Sequence, residues 1–230
     1  MSVKTSVAVT SFSPDGFDLY GRDFLKSFLH HTDLNIIVFI EAAQKKLPKN
    51  KRIAYRDLWD IPGCREFVET APPGKLGYRW DSGKFCRKVY AQIEVISEAK
   101  TNYVYWFDAD VVWQKKLEEK RLRGWLKTVA VAYMGRVGYH CCSSFVGYNL
   151  DHADLPRYVA RMMTLYDGKE LFSNKEGWTD CDAMAVAMAG LETNNICAGD
   201  PRAAHIANVF DIYLPGHHKK GTRKYGAKGG

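Results

Sequence analysis

The chain has 230 residues, 46% of them hydrophobic and 26% charged, and a formal net charge of +7. These proportions exclude wholesale disorder and fit a soluble globular protein of one domain with a substantial core. No apolar run approaches the ~20 residues needed to cross a bilayer, so no membrane partner is expected.

Val3 to Thr10 alternates as a strand and gives way to a loop, Ser11-Phe12-Ser13-Pro14-Asp15-Gly16. The opening residues carry no charged segment followed by an apolar stretch, so no signal peptide is expected. Phe17 to His30 places apolar residues at 20, 24, 25, 28 and 29, the spacing of a helix with one buried face. Asn35 to Ile40 reads as a short buried strand and Lys51 to Tyr55 as another. Cys64 to Thr70 reads as a short helix within a segment rich in Pro and Gly. Lys84 to Ala99 is an amphipathic helix, Asn102 to Phe107 an aromatic and β-branched strand, Lys115 to Lys127 a charged helix, and Val129 to Met134 a strand.

The second half is less regular. Cys141 to Asn149 reads as a strand. Leu155 to Tyr166 is a helix with Pro156 in its first turn, where a missing N–H does little harm. Asp182 to Ala189 is a small-residue helix, and the segment from Pro215 onward is rich in Gly and Lys. Alternating strands and helices predict an α/β architecture around a mostly parallel sheet. Ligands then bind beyond the carboxyl ends of the strands, near Thr10 and Phe107. Cysteines at 64, 86, 141, 142, 181 and 197 form no C-x-x-C pair and read as free thiols of a reducing, cytoplasmic compartment.

Three groups of residues carry chemistry. Tyr103 to Phe107 is an apolar strand that ends in Asp108-Ala109-Asp110. Carboxylates at a fixed strand end suit Mn²⁺ or Mg²⁺, which neutralise a departing diphosphate. The alternative is an ordinary acidic turn. His218-Lys219-Lys220-Gly221-Thr222-Arg223-Lys224 reads H-x-x-G-x-x-K. An imidazole there completes a metal site, Gly221 admits a diphosphate and Lys224 contacts its oxygens, whereas composition alone also allows a disordered tail. Asp180-Cys181-Asp182 stands before a small-residue helix, where an Asp makes a good N-cap. Lys84 and Lys88 share one helix face and would meet donor phosphates or solvent. Phe12 and Tyr20 are candidates to flank a nucleobase, although packing is the commoner use of such rings.

Asp108-x-Asp110 followed by His218-x-x-Gly221-x-x-Lys224 resembles the retaining glycosyltransferases of family 8. That resemblance implies the GT-A fold, a Rossmann-like mixed sheet flanked by helices, over a single domain spanning 1–230. It implies Asp108, Asp110 and His218 as metal ligands, with Gly221 and Lys224 at the phosphates of a nucleoside-diphosphate sugar, UDP-linked; Thr10, Phe12, Tyr20, Lys84, Lys88 and Asp108 are expected to line the same donor site. Residues 216–230 are expected to order over that donor. Asp180 and Asp182 match the acids of the family's D-Q-D segment and are the candidate catalytic residues, with Cys181 in place of Gln. Tyr225-Gly226 stands where the family usually has Pro-Trp.

Thr10-Ser11-Phe12, Phe85 to Tyr90, Ser144 to Asn149 and Gly177 to Asp180 are similar to segments of small bacteriophage glycosyltransferases. Some of these modify hydroxymethylated pyrimidines, so 5-hydroxymethylcytosine in phage DNA is the expected acceptor, in the host cytoplasm, and the basic net charge agrees with a DNA partner. A glycan or protein acceptor is the main alternative. A nucleotidyltransferase would also use paired acids, but no Gly-rich basic loop follows the first strand. A non-catalytic nucleic-acid-binding module would leave the strand-end acids unexplained.

Overall fold

The structure, a computed structural model, describes residues 5–41, 47–136, 139–204 and 209–219. Strand β1 (Ser6–Phe12) runs two residues further than its composition suggested, because it stays paired with its neighbour to Phe12. The expected single helix after it is broken into α1 (Pro14–Gly16), a π-helical turn (Phe17–Gly21) and α2 (Arg22–His31). Gly21 has no Cβ, which lets the Phe12 and Phe17 rings close over this wide turn. Strands β2 (Asn35–Ile40) and β3 (Ile53–Asp57) follow, then α3 (Cys64–Thr70) and α4 (Ser82–Glu98). Helix α4 is capped by Asp81, whose carboxylate accepts from the Lys84 N–H. Next come β4 (Tyr103–Phe107) and a short strand absent from the sequence reading, β5 (Val111–Trp113). Helix α5 is confined to Glu119–Trp125, shorter than the charged 115–127 run.

The remainder comprises β6 (Val131–Arg136), β7 (Tyr139–Asn149), α6 (Leu155–Tyr166), α7 (Asp180–Met188), β8 (Thr193–Asn195), α8 (Val209–Tyr213) and β9 (Gly216–His218). The main sheet has seven strands in the order β3-β2-β1-β4-β7-β6-β8. All its ladders are parallel except the two made by β7, which runs against both β4 and β6. Strand β9 pairs antiparallel with β5 in a separate two-stranded sheet.

Both faces of the main sheet are covered. Val7, Val9, Val104 and Trp106 pack toward α3, α4, α6 and α7. Ala8, Phe12, Tyr103, Tyr105 and Phe107 pack on the other side with Phe24 and Phe28 of α2 and Phe210 of α8. A strand buried on both faces reads as a continuous apolar run, which is why β4 was conspicuous in the sequence. No helix among the described residues is long and apolar enough to cross a membrane.

Candidate functional site

The carboxyl ends of β1 and β4 meet the first half of β7 at an open cleft of about 780 Å³. Its walls bring together Phe12, Tyr20, Lys84, Lys88, Asp108, Asp110, Asp180, Cys181 and His218, most of the residues singled out from the sequence. The chain turns sharply at the end of β4. The Asp108 N–H donates to the Ser144 carbonyl at 3.0 Å, and the Val111 N–H donates back to the Asp108 carbonyl at 3.3 Å. This turn presents both carboxylates to one side.

The small β5–β9 sheet supplies the third group. Its register places Val111 against His218 and buries the imidazole to 4% exposure. His218 Nε2 lies 2.8 Å from Asp110 Oδ1 and 3.8 Å from Asp108 Oδ2. One ligand atom from each of Asp108, Asp110 and His218 lies within 4.8 Å of the others. His218 Nδ1 is 3.1 Å from the Ser144 hydroxyl. With Nδ1–H donated to that oxygen, the Nε2 lone pair turns toward the carboxylates, the tautomer a metal ligand requires. Asp211 of α8 fixes the strand itself, accepting from the His218 N–H at 2.8 Å and pairing with His217 at 2.6 Å. Two carboxylates and an imidazole so placed could hold a divalent metal ion.

Lys88 lines the cleft between the two acidic segments. Its ammonium contacts Asp108 Oδ1 at 2.7 Å, the Ser143 hydroxyl at 2.9 Å and Asp180 Oδ2 at 3.0 Å. Burial pushes this ammonium down, but the Asp108 and Asp180 carboxylates more than offset it and hold its pKa above the ordinary lysine range. Trp106 Nε1 donates to the same Asp108 Oδ1 at 2.9 Å, leaving Oδ2 turned to the His218 side.

Asp180 and Asp182 part company. Asp180 is 2% exposed and lines the cleft; its Oδ2 faces Lys88 without making a hydrogen bond. Asp182 Oδ2 accepts from the Thr179 N–H at 3.0 Å, and the Asp182 N–H donates to the Thr179 hydroxyl at 3.2 Å, a capping box at the start of α7. Asp182 Oδ1 faces His140 Nε2 at 3.1 Å and Arg79 at 3.5 Å. The structure therefore gives His140 a partner that no sequence spacing could identify.

Thr10 is buried and does not line the cleft. Its hydroxyl donates to the Phe107 carbonyl at 2.7 Å and ties β1 to the strand that bears the acids. Gly221 and Lys224, and the ordering of 220–230 over a donor, lie outside the described residues. Sequence reasoning missed Trp106, Ser143, Ser144, Arg136 and Asp211 as parts of the site. Ser143 and Ser144 reach it only through the β4–β7 register, which sets Phe107 opposite Phe145, and no local pattern encodes that pairing.

No protein-family profile matches the chain, and no curated protein matches it by sequence. Solved structures do match. The bifunctional glycosyltransferase WbbM superposes with a TM-score of 0.54 at 12% identity, covering 84% of this chain and 39% of its own length. Mouse xyloside xylosyltransferase 1 gives 0.58 at 10% identity, covering 83% of this chain and 84% of that one. The galactosyltransferase LgtC, solved with donor and acceptor sugar analogues, gives 0.58 at 12% identity, covering 94% and 87%. The chain thus has the GT-A fold of these glycosyltransferases, and it spans well under half of WbbM. Within that fold the site is an acid–histidine cluster set in an open cleft at the strand ends.

Proposed function

We propose that this protein transfers a glycosyl group from a nucleoside-diphosphate sugar, UDP-linked, to an acceptor hydroxyl, with retention of configuration. The observation that carries the reading is the convergence of Asp108, Asp110 and His218 in one cleft of a GT-A fold. Asp108 Oδ2, Asp110 and His218 Nε2 would hold Mn²⁺ or Mg²⁺. The ion, when bound, supplies positive charge to the diphosphate as the glycosidic bond breaks. Lys88 and Lys84 line the same cleft and add positive charge for the diphosphate, while Phe12 and Tyr20 offer rings near the base. Gly221 and Lys224 complete the phosphate contacts in this reading. Asp180 faces the sugar, and Asp182 holds α7 in place through its cap. Retention is supported by the family 8 resemblance alone.

The acceptor we favour is the hydroxymethyl group of 5-hydroxymethylcytosine or a related pyrimidine in phage DNA. It is supported by the net charge of +7 and by the phage-type segments. A base in duplex DNA must leave its stack to reach a cleft of this kind. The second reading, a glycan acceptor, is favoured by the xyloside named for one structural neighbour and the acceptor sugar analogue bound in another. The deciding experiment incubates the protein with Mn²⁺, 5-hydroxymethylcytosine DNA and a panel of nucleotide sugars, then digests the DNA for nucleoside mass spectrometry. A hexose or pentose mass gain on the modified nucleoside is expected. No gain on DNA alongside transfer to a saccharide would move the assignment to glycans. Release of pyrophosphate in place of nucleoside diphosphate would reassign the protein as a nucleotidyltransferase.

A further inference from the structure

Among the six cysteines, Cys181 is the one that is not buried, and its side chain lines the cleft that holds Asp108, Asp110 and His218. It occupies the first turn of α7, where the N–H groups of the helix favour negative charge. Its sulfur lies 3.3 Å from the Ser143 hydroxyl, which also contacts the Lys88 ammonium at 2.9 Å. Lys88 in turn contacts Asp108 at 2.7 Å. The sulfur is thus one hydroxyl away from a buried cation and one side chain further from the metal cluster. A hydrogen bond with Cys141 pulls its pKa below the ordinary thiol value, assisted by Lys88 and Ser143 and opposed by burial and Asp180. The other candidate nucleophiles are less available. Asp180 is 2% exposed and held under Lys88, Asp182 is committed to the helix cap, and Cys142 is buried against Ser144.

We propose that Cys181 is a catalytic residue, the nucleophile that accepts the glycosyl group from the donor before the acceptor receives it. The proposal rests on the glycosyl-transfer reading above. In the first step the Cys181 thiol releases its proton to solvent as its sulfur forms a bond to the anomeric carbon. The bond from that carbon to the diphosphate oxygen breaks, and the nucleoside diphosphate leaves with the electron pair. In the second step the acceptor oxygen bonds to the anomeric carbon and its proton passes to the Asp180 carboxylate. The carbon–sulfur bond breaks and returns its pair to Cys181. Two inversions give net retention, and no oxidant or other co-reactant is needed.

The test uses the full chain with Mn²⁺ and a panel of UDP-, GDP- and dTDP-hexoses, without acceptor, quenched rapidly in acid for intact-mass and peptide analysis. Nucleoside diphosphate release is expected, with one hexosyl mass on the peptide containing Cys181. Cys181→Ala should lose the adduct and lower turnover roughly 1,000-fold. Cys181→Ser should keep the far-UV spectrum and donor affinity while turning over at least roughly 100-fold more slowly, which separates lost chemistry from lost fold. Nucleoside diphosphate release by the wild type with no adduct, or with an adduct on another residue, would overturn the assignment and leave glycosyl transfer standing. An inverted product anomer, or wild-type turnover in the serine variant, would do the same. No nucleoside diphosphate release from any donor in the absence of acceptor would overturn the covalent step, and none with hydroxymethylated DNA or saccharide acceptors added would remove the transferase reading as well.

Discussion

Asp108-Ala109-Asp110 and Asp180-Cys181-Asp182 are the same pattern in sequence, two acids one residue apart at the edge of a regular element. The structure treats them in opposite ways. The first pair lies in a turn after β4, where both carboxylates swing to one side and meet His218. The second pair opens a helix, where residues two apart point to different faces. Asp180 turns into the cleft beneath Lys88, whereas Asp182 turns back to cap the helix and meets His140 and Arg79. Acid spacing therefore carries little information until the backbone that bears it is known.

The comparison can be broken at four points. The largest effect is expected from Asp110→Ala or His218→Ala, each lowering turnover roughly 1,000-fold with an intact circular dichroism spectrum. Chelation by EDTA should reproduce that loss and added Mn²⁺ should reverse it. Wild-type-like nucleoside diphosphate release in either variant would end the claim that this pair serves a metal. Lys88→Met comes next. It leaves Asp180 without the one cation that faces it among the described residues. A buried ion pair that loses one partner typically costs about 3 kcal/mol. For a chain of this size that lowers Tm by about 10 °C, and an unchanged melting curve would show that Asp180 is not charged there.

Asp180→Asn should reduce kcat roughly 100-fold while the melting temperature stays close to wild type, a split read by pairing kinetics with calorimetry. The smallest effect belongs to Asp182→Ala. Losing the capping box costs about 1 kcal/mol, near 3 °C in Tm, with turnover lowered less than roughly tenfold. A 100-fold loss of turnover in this variant would place Asp182 beside Asp180 in the chemistry and erase the distinction.

The legible parts of the molecule were those where one local rule suffices. Leu155–Tyr166, with Pro156 in its first turn, and the short helix Cys64–Thr70 were both read with the bounds the structure shows. The β4 strand stood out because both its faces are buried. The N-terminal helix was read as unbroken because periodicity alone does not register a π-helical turn, which the packing of Phe12, Phe17 and Gly21 accommodates. Strands β5 and β9 were invisible, since each is three residues long and finds its stability in the other. The same holds for Asp211, which reaches His218 and His217 through the fold of α8 onto β9.

By itself the sequence determined the alternation of strands and helices, the placing of two acids at the end of a buried strand, and the capping signal before α7. These depend on residues within a turn or two of one another. Tertiary structure decided which acids come together with His218 and which do not. The β4–β7 register brought Ser143 and Ser144 to the site, the β5–β9 pairing brought His218 to Asp110, and the approach of α4 set Lys88 between Asp108 and Asp180. Each is a contact between segments far apart in the chain, and its geometry follows from how the two faces of the sheet pack, which no local pattern of residues records.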